Sequence, residues 1–176
     1  DASGGTNGPF VAKYSPTGAR STRDMLPGVQ GYATRVSTDA AGNTYLVSNA
    51  RVTNASGTAT MDILTMKIPP NGLREWLRSF SVDTSSSDLS NAMAVTAAGN
   101  VIVAGSSGGQ MLLLAYDTAG NPIWSKVLPG LTEASDVVIG KLGEIYVVGG
   151  SMTGGAGRGF VVVKHDANFN ELWRNT

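Results

Sequence analysis

The chain is poor in the residues that build most catalytic and metal sites. Its 176 residues include no cysteine, which excludes disulfides and thiolate metal sites. Charged residues make up only 15% of the chain, well below the roughly 25% of ordinary domains. Thirteen basic and thirteen acidic residues cancel, so we expect no nucleic-acid partner. No stretch approaches the roughly 20 apolar residues that span a bilayer, so we expect no membrane insertion.

What the chain has instead is a repeated phrase: a short apolar run, a turn, and a strand that usually contains tryptophan. The apolar run and the turn of the four copies are residues 10–18, 64–72, 112–120 and 161–169. Successive copies lie 54, 48 and 49 residues apart. A period of this size indicates one supersecondary unit repeated along the chain.

A second phrase alternates with the first: a short strand, a turn ending in glycine, and a β-rich strand. Its copies are residues 36–48, 93–105 and 137–149. The turn glycines are Gly42, Gly99 and Gly143. Hairpin turns need a positive φ angle at such a position, and glycine adopts it at little cost. Glu144 follows the third glycine where the other copies have asparagine, which leaves the type of that turn open.

The two phrases together make a four-stranded unit of about 45–55 residues, the size of a propeller blade. Apolar residues alternate at period two in the strands, and no segment shows a confident helical pattern. The sequence therefore predicts an all-β fold of β-propeller blades, each with four antiparallel strands. The predicted strands are 9–15, 20–26, 33–39, 43–49, 62–68, 73–81, 92–96, 100–106, 111–117, 122–128, 134–140, 144–150, 159–166 and 171–175.

These strands form about three and a half blades, a single partial propeller over residues 1–176. The half blade spans 1–30, and the blades span about 31–82, 83–130 and 131–176. Propellers close rings of about four to eight blades, so this number cannot close alone. We expect further blades from a longer chain or from a second subunit, and we favour the longer chain because the sequence begins and ends inside the repeat. The half blade would also expose an unpaired strand edge, which is a template for association.

The repeated phrases resemble those of the bacterial β-propeller repeat family of the SBBP type. The best matches are residues 10–18, 66–76, 92–105 and 116–124, and the resemblance covers nearly the whole chain. The chain departs from the pattern at Thr22, where the other copies have tryptophan, and at Ala115, where they have lysine. The resemblance implies a secreted or cell-surface bacterial protein with the repeats as a scaffold. It implies no catalytic residues, and we predict no catalytic, cofactor-binding or metal-binding residue.

Tryptophan recurs at one place in the unit, as Trp76, Trp124 and Trp173. Large rings at a repeated position suit packing between neighbouring blades, and they also suit a row of stacking platforms for sugars. We favour packing because the position repeats in register.

Lysine recurs on the third strand of the unit, as Lys13, Lys67 and Lys164. These residues could form a ring of cations that attracts an anion, but Ala115 interrupts the ring. We expect solvated ammonium groups whose stems cover apolar surface.

The only histidine, His165, occupies the place of Tyr14, Ile68 and Tyr116 in the other copies, which favours a structural role. Zinc sites need three or four ligands, and a hydrolytic triad needs a base beside a nucleophile. Asp166 is adjacent, but consecutive strand residues point to opposite faces.

Three weaker motifs favour plain structural roles. The glycine-rich segment 154–159 precedes a predicted strand, whereas a phosphate-binding loop requires a helix. Asp88 and Asp136 precede the innermost strands of successive blades, where we expect them to cap turns. Residues 54–56 fit an N-glycosylation acceptor, a short signal that often arises by chance.

Segments 50–61 and 82–91 are predicted loops that exceed the usual 2–5 residues of hairpins. Long loops on rigid scaffolds often bind partners, and the serine, threonine and asparagine here suit hydrogen bonding to protein or glycan. Neutral insertions explain them equally well.

These observations favour a non-enzymatic scaffold or interaction module of a bacterial extracellular or envelope protein. It would bind a protein partner, or copies of itself, through the open blade edge and the loops. The alternative is a carbohydrate-binding propeller that uses an exposed aromatic ring. A hydrolase whose catalytic residues lie partly outside the segment is less favoured, because there is no second histidine and no nucleophile motif.

Overall fold

The computed structural model describes residues 8–152 and 159–176, and within these ranges the chain contains strands but no helix. It follows that no helix in these ranges could cross a membrane. The strands are β1 (Phe10–Tyr14), β2 (Arg20–Met25), β3 (Gly31–Thr38), β4 (Thr44–Thr53), β5 (Ala59–Ile68), β6 (Trp76–Phe80), β7 (Asp88–Val95), β8 (Val101–Ser107), β9 (Gln110–Tyr116), β10 (Pro122–Leu128), β11 (Leu131–Ile139), β12 (Ile145–Ser151), β13 (Gly159–His165) and β14 (Glu171–Asn175).

The strands form three four-stranded antiparallel sheets and one two-stranded sheet. Sheet 1 is β3–β6, sheet 2 is β7–β10 and sheet 3 is β11–β14, each in chain order, and the two-stranded sheet is β1–β2. The predicted all-β fold of four-stranded antiparallel units is therefore confirmed. The described residues form no closed ring, so the number of blades stays a prediction.

Glycine-containing hairpin turns join the first two strands of each sheet. The φ angles of Gly42, Gly99 and Gly143 are 80°, 81° and 87°, as the turns require. The turn that contains Glu144 has the same backbone hydrogen bonds as the others, from Gly140 N–H to Glu144 O and from Gly143 N–H to Gly140 O. The missing asparagine therefore does not change this bonding pattern.

Two predictions about the connections are wrong. Segment 50–61 is mostly strand, because β4 and β5 remain paired as far as Thr53 and Ala59, and only residues 54–58 form the turn. Asn54 closes this turn: its side-chain oxygen accepts hydrogen bonds from the backbone N–H of Ser56 and of Thr58. The loop predicted at 82–91 is also shorter than predicted, because β7 already begins at Asp88.

Of the two aspartates predicted to cap turns, Asp88 has nearly the predicted role and Asp136 does not. The Asp88 carboxylate accepts the Val82 N–H and so ties the loop before β7, close to the predicted role. Asp136 lies inside β11, where a bulge follows Ala134, so it does not precede the strand. The prediction for Asp136 is wrong because the pairing of β11 with β12 extends back to Leu131.

The sheets stack in chain order, with β3, β7 and β11 as neighbouring innermost strands. Sheet 2 is covered on both faces, which explains why β8 is buried along its whole length. Val101 and Val103 face sheet 1, whereas Ile102 and Ala104 face sheet 3. The two-stranded sheet covers the other face of sheet 1 through Val11 and the adjoining Leu26. We call the contact between sheets 1 and 2 the first seam and that between sheets 2 and 3 the second seam.

Candidate interaction surfaces

One row of cross-strand neighbours recurs in every four-stranded sheet and ends on the predicted tryptophan. The rows are Ser37–Tyr45–Lys67–Trp76, Ala94–Ile102–Ala115–Trp124 and Val138–Tyr146–Lys164–Trp173. In β1–β2 the corresponding pair is Lys13 and Thr22. Because paired residues in a sheet share a face, each row points toward the next sheet along the stack.

Trp76 fills the first seam. It is 5% exposed and lies between Tyr45 of its own sheet and Tyr116 of sheet 2, with ring centroids 6.3 Å and 6.1 Å away. Its Nε1–H donates to the carbonyl of Thr118 at 3.0 Å. A Cβ atom added to Gly120 would come within 2.6 Å of the ring, so this turn needs a glycine where the indole lies against it. The predicted packing role is confirmed for Trp76.

Lys67 also belongs to the first seam, and the prediction of a solvated ammonium group is wrong for it. The residue is 7% exposed, and its Nζ donates to the carbonyl of Thr118 at 3.1 Å. The same Nζ forms an ion pair with Glu75 at 3.0 Å. The burial arises because the turn of sheet 2 comes down over the row, and sequence alone does not place that turn.

The second seam uses different side chains at the same positions. Trp124 is half-buried and stacks on Phe169, with centroids 5.3 Å apart and planes 20° from parallel. Phe169 replaces the turn glycine and is the one described non-glycine residue with a positive φ, 66°. The edge of His165 meets the same indole at 5.6 Å. Ala115 occupies the place of Lys67, so this seam lacks the lysine contact.

His165 lies inside this seam and is 1% exposed. Neither ring nitrogen has a hydrogen-bond partner among the described residues. Burial lowers the pKa of the imidazole, and the nearby Lys126 and Arg174 act in the same direction against Glu171 and Asp166. The position suits a packing residue and gives a substrate no access.

The described residues hold one notable pair of carboxylates, Asp62 and Asp88. Burial raises the pKa of Asp62, and the charge of Asp88 adds to the effect. Asp88 is wholly buried. A general acid and base must both reach the substrate, so this pair does not form a glycosidase site. Within the described part of the chain, no three histidine or acidic residues are grouped to hold a metal ion.

Each seam ends in a cleft between the turns of neighbouring sheets. The cleft of the first seam has a volume of about 310 Å³ and is lined by Asp39, Tyr45 and Lys67 among others. The cleft of the second seam measures about 360 Å³, and Leu142 and Phe169 line it. The lining of the second cleft is more apolar than that of the first, which is evenly divided between polar and apolar surface.

The open face of sheet 3 repeats the row, and none of the described residues forms a sheet over it. Val138 is 54% exposed, Val148 40%, Phe160 73% and Trp173 46%. The counterparts in sheet 2 lie in the second seam, where Ala104 and Met111 are fully buried. We define the open face of sheet 3 by Val138, Tyr146, Val148, Phe160, Val162, Lys164 and Trp173. Apolar side chains that are buried in one sheet and exposed in the next mark a surface built for contact.

The two-stranded sheet has one covered face and one open face. On its covered face, Lys13 donates to the carbonyl of Pro69 at 3.2 Å, and Asp24 pairs with Arg74 at 3.1 Å. Its open face consists of the residues of opposite alternation, Phe10, Ala12, Tyr14, Arg20, Arg23 and Met25. Phe10 is 54% and Tyr14 64% exposed. β1 pairs with β2 along one edge, and no described strand pairs with its other edge.

Two other predicted motifs are the N-glycosylation acceptor at residues 54–56 and the glycine-rich segment 154–159. Asn54 is engaged by the turn of residues 54–58, and its Nδ2 also donates to the carbonyl of Thr84. The glycine-rich segment lies mostly outside the described residues, and β13 comes after it as predicted. Sequence reasoning missed Phe169, although its place in the turn of the fourth copy was a usable signal.

Comparison with known proteins informs the fold alone. No protein-family profile matches the chain, and no curated protein matches it at a significant level. A solved structure of a protein of unknown function from Bacteroides caccae matches 98% of this chain with a TM-score of 0.56 and 14% sequence identity. The match covers 56% of that protein, so this chain spans little more than half of its length.

Proposed function

We propose that the chain is a non-enzymatic scaffold, part of a β-propeller in a bacterial extracellular or envelope protein, which binds further blades or a protein partner. One observation supports this above all: the row that ends on tryptophan is covered in sheets 1 and 2 and open in sheet 3. Trp76 is buried and Trp173 is 46% exposed at equivalent positions, because another sheet packs over the first and none of the described sheets packs over the second.

The residues with potential chemistry also support a scaffold. His165 packs on Trp124, and the carboxylate of Asp88 ties a loop. Asp117 and Asp166 accept hydrogen bonds from backbone N–H groups and from an asparagine in their own turns. Each of these groups has a structural task in the described residues.

A carbohydrate-binding propeller is the second candidate, because one tryptophan is exposed. The Trp173 ring meets Tyr146 edge-on at 6.4 Å, and Lys164 lies 5.0 Å from the centroid of the Tyr146 ring. An exposed indole beside a half-buried tyrosine ring and an ammonium group suits a sugar ring. A glycan array on which the wild-type chain binds and Trp173→Ala does not would favour this candidate over the scaffold.

Hydroxyl-radical footprinting tests the scaffold proposal. The oxidation rates of Trp173 and Phe160 would be measured in the dilute isolated chain and in intact cells that produce the protein. We expect both residues to react in the dilute chain and to be protected in cells, whereas Leu142, 82% exposed and outside the open face, reacts in both. Equal reactivity of Trp173 in the two samples would remove the proposal.

A further inference from the structure

We infer that copies of this chain dock head to tail, with the open face of sheet 3 of one copy against the open face of β1–β2 of the next. The inference rests on the proposed scaffold function and names its partner: a second copy of the chain. The structure shows the interface pattern twice internally, and both halves of a further one are exposed.

The donor half of this interface is the row Tyr146–Lys164–Trp173, with Phe160 farther along β13 on the same face. In the first seam the equivalent tryptophan lies against a turn glycine and donates to a turn carbonyl, Thr118 O. The equivalent lysine donates to the same carbonyl. In sheet 3, Lys164 instead pairs with Glu144 of its own sheet at 3.4 Å. Trp173 and Lys164 are therefore equipped for a turn that the described residues do not place over them.

The acceptor half is the turn between β1 and β2, which has the geometry of the turns that receive tryptophan. Gly18 has a φ of 80°, against 79° for Gly120 in the first seam. A Cβ atom added to Gly18 would meet no atom of the described residues within 4 Å, so none of them fills the space that Trp76 occupies over Gly120. Phe10 and Tyr14 extend this surface along β1 with exposed rings.

The pattern of the first seam also indicates where the charged side chains of the two halves lie. Lys164 is the one cation of the donor face. The acceptor face carries Arg20, which pairs with Tyr14, and Arg23, which lies over the Phe10 ring at 5.4 Å. The lysine lies at the end of its strand that meets the turn, where the pattern of the first seam supplies carbonyl acceptors. In the first seam, Arg78 donates to the carbonyls of Ala119 and Gly120. Asn175 is the equivalent of Arg78, and residue 17 is the equivalent of Ala119, so docking by this pattern brings Asn175 close to residue 17.

The contact is heterologous, since the two surfaces differ, so copies form a closed ring or an open series. Each chain contributes three four-stranded sheets and one two-stranded sheet. Two copies place six four-stranded and two two-stranded sheets in sequence, and a ring of six to eight full or partial blades lies within the range of propellers. We therefore expect a closed pair.

Thiol cross-linking tests the docking directly, because the chain contains no native cysteine. The single variants Asn175→Cys and Thr17→Cys would be mixed and treated with a short bismaleimide. We expect a cross-linked pair. In the matched control, Asn71→Cys replaces Thr17→Cys: it places the thiol on the equivalent turn of sheet 1, which β1–β2 already covers. Cross-linking no stronger than with Asn71→Cys overturns the inference.

Analytical ultracentrifugation supplies the second measurement. Phe160→Glu and Trp173→Lys should each weaken self-association at least about thirtyfold, the effect of losing one central contact residue. Leu142→Lys should leave it unchanged. Both substituted side chains are exposed in the single chain, so the variants should fold, and circular dichroism checks this.

The outcomes separate this inference from the scaffold proposal. A wild-type chain that stays monomeric at high concentration, while Trp173 is protected in producing cells, overturns self-docking and leaves the scaffold standing. If Trp173 is not protected in producing cells, the scaffold proposal is wrong, whatever the isolated chain does. A glycan that protects Trp173 in the monomer overturns the inference in favour of the carbohydrate candidate.

Discussion

The two seams share one backbone register but differ in the side chains that close them. In the first, Trp76 and Lys67 both donate to Thr118 O, and Arg78 donates to Gly120 O at 2.6 Å. In the second, Trp124 stacks on Phe169 and meets the edge of His165. The first seam is closed by hydrogen bonds to the turn of sheet 2, whereas the second is closed by an aromatic stack on the equivalent turn of sheet 3.

The difference shows which part of the repeat is fixed and which part varies. The tryptophan, the turn opposite it and the pairing register are common to both seams. The lysine and the turn glycine differ together: Ala115 and Phe169 take their places in the second seam. The cleft beside the second seam also has a more apolar lining than the cleft beside the first.

The largest expected effect comes from removing the tryptophans one at a time. Trp76→Ala should lower the free energy of unfolding by about 4 kcal/mol, the usual cost of deleting a buried aromatic ring. Trp124→Ala should cost about 2 kcal/mol, because the ring is only half-buried, and Trp173→Ala should cost less than about 0.5 kcal/mol in the dilute chain. Urea unfolding followed by circular dichroism measures all three.

The order of the three values is the test, and each Trp→Phe variant is the matched control that keeps a ring. A cost for Trp173→Ala as large as that for Trp124→Ala would mean that the end of sheet 3 is covered in the single chain. The distinction between closed seams and an open face would then be lost.

The tryptophan row was accessible to sequence reasoning because it rests on local periodicity. Strands, turn glycines and the repeat register can be inferred from alternation and spacing, and the strands of the structure agree with the predicted ones within a few residues, apart from extensions such as that of β4. Lys67 was misjudged for the opposite reason. Its burial depends on a turn about fifty residues away, and no local pattern reports which side chains that turn will cover.

The second expected effect separates strain from stacking at Phe169. Phe169→Ala removes the ring that stacks on Trp124 but keeps a Cβ atom at a φ of 66°, so we expect a loss of about 2 kcal/mol. Phe169→Gly loses the same stack but relieves the backbone, so it should be about 1 kcal/mol more stable than the alanine variant. Thermal and urea unfolding of the pair give the difference.

Gly120→Ala is the mirror experiment in the first seam. It introduces a Cβ atom beside the Trp76 ring at a φ of 79°, and it should destabilise by more than about 1 kcal/mol.

Phe169→Gly at or below the stability of Phe169→Ala would show that the turn of the second seam is unstrained.

The third expected effect tests the hydrogen bond and the ion pair of Lys67. Lys67→Met keeps the stem but removes the donor to Thr118 O and the ion pair with Glu75, so we expect a loss of about 1 kcal/mol. Lys13→Met, at a half-buried equivalent position, should cost less, and Lys164→Met should cost close to nothing in the dilute chain. Urea unfolding at low and high salt measures the series. A solvated Lys67 would give the same small value at all three positions.

The open face of sheet 3 marks the limit of what the sequence could supply. Its residues were readable as a strand face, but whether a face is covered depends on which sheet lies next to it in space. The same limit applies to Asp136, which was assigned to a turn because the bulge that lengthens β11 has no local signal.

The smallest expected effect is a dependence of stability on pH that belongs to the second seam alone. Burial lowers the folded pKa of His165 from its ordinary 6.5, with Lys126 and Arg174 acting in the same sense and Glu171 and Asp166 against it. Above pH 6.5 the imidazole is neutral in both states. As the pH falls below 6.5, the unfolded chain takes up a proton that the folded chain refuses, so stability decreases until the folded pKa is passed, by at most about 1.4 kcal/mol per pH unit.

His165→Phe removes this slope and keeps a ring against Trp124, so urea unfolding between pH 7 and pH 5 should show a difference that grows as the pH falls. Tyr116→Phe is the matched variant in the first seam. Burial raises the pKa of Tyr116 to about 12, far above this window, and its removal should leave the wild-type pH dependence intact. Parallel profiles for the wild type and His165→Phe would mean that the imidazole is hydrated in the folded chain, and the second seam would then be less tightly closed than its contacts indicate.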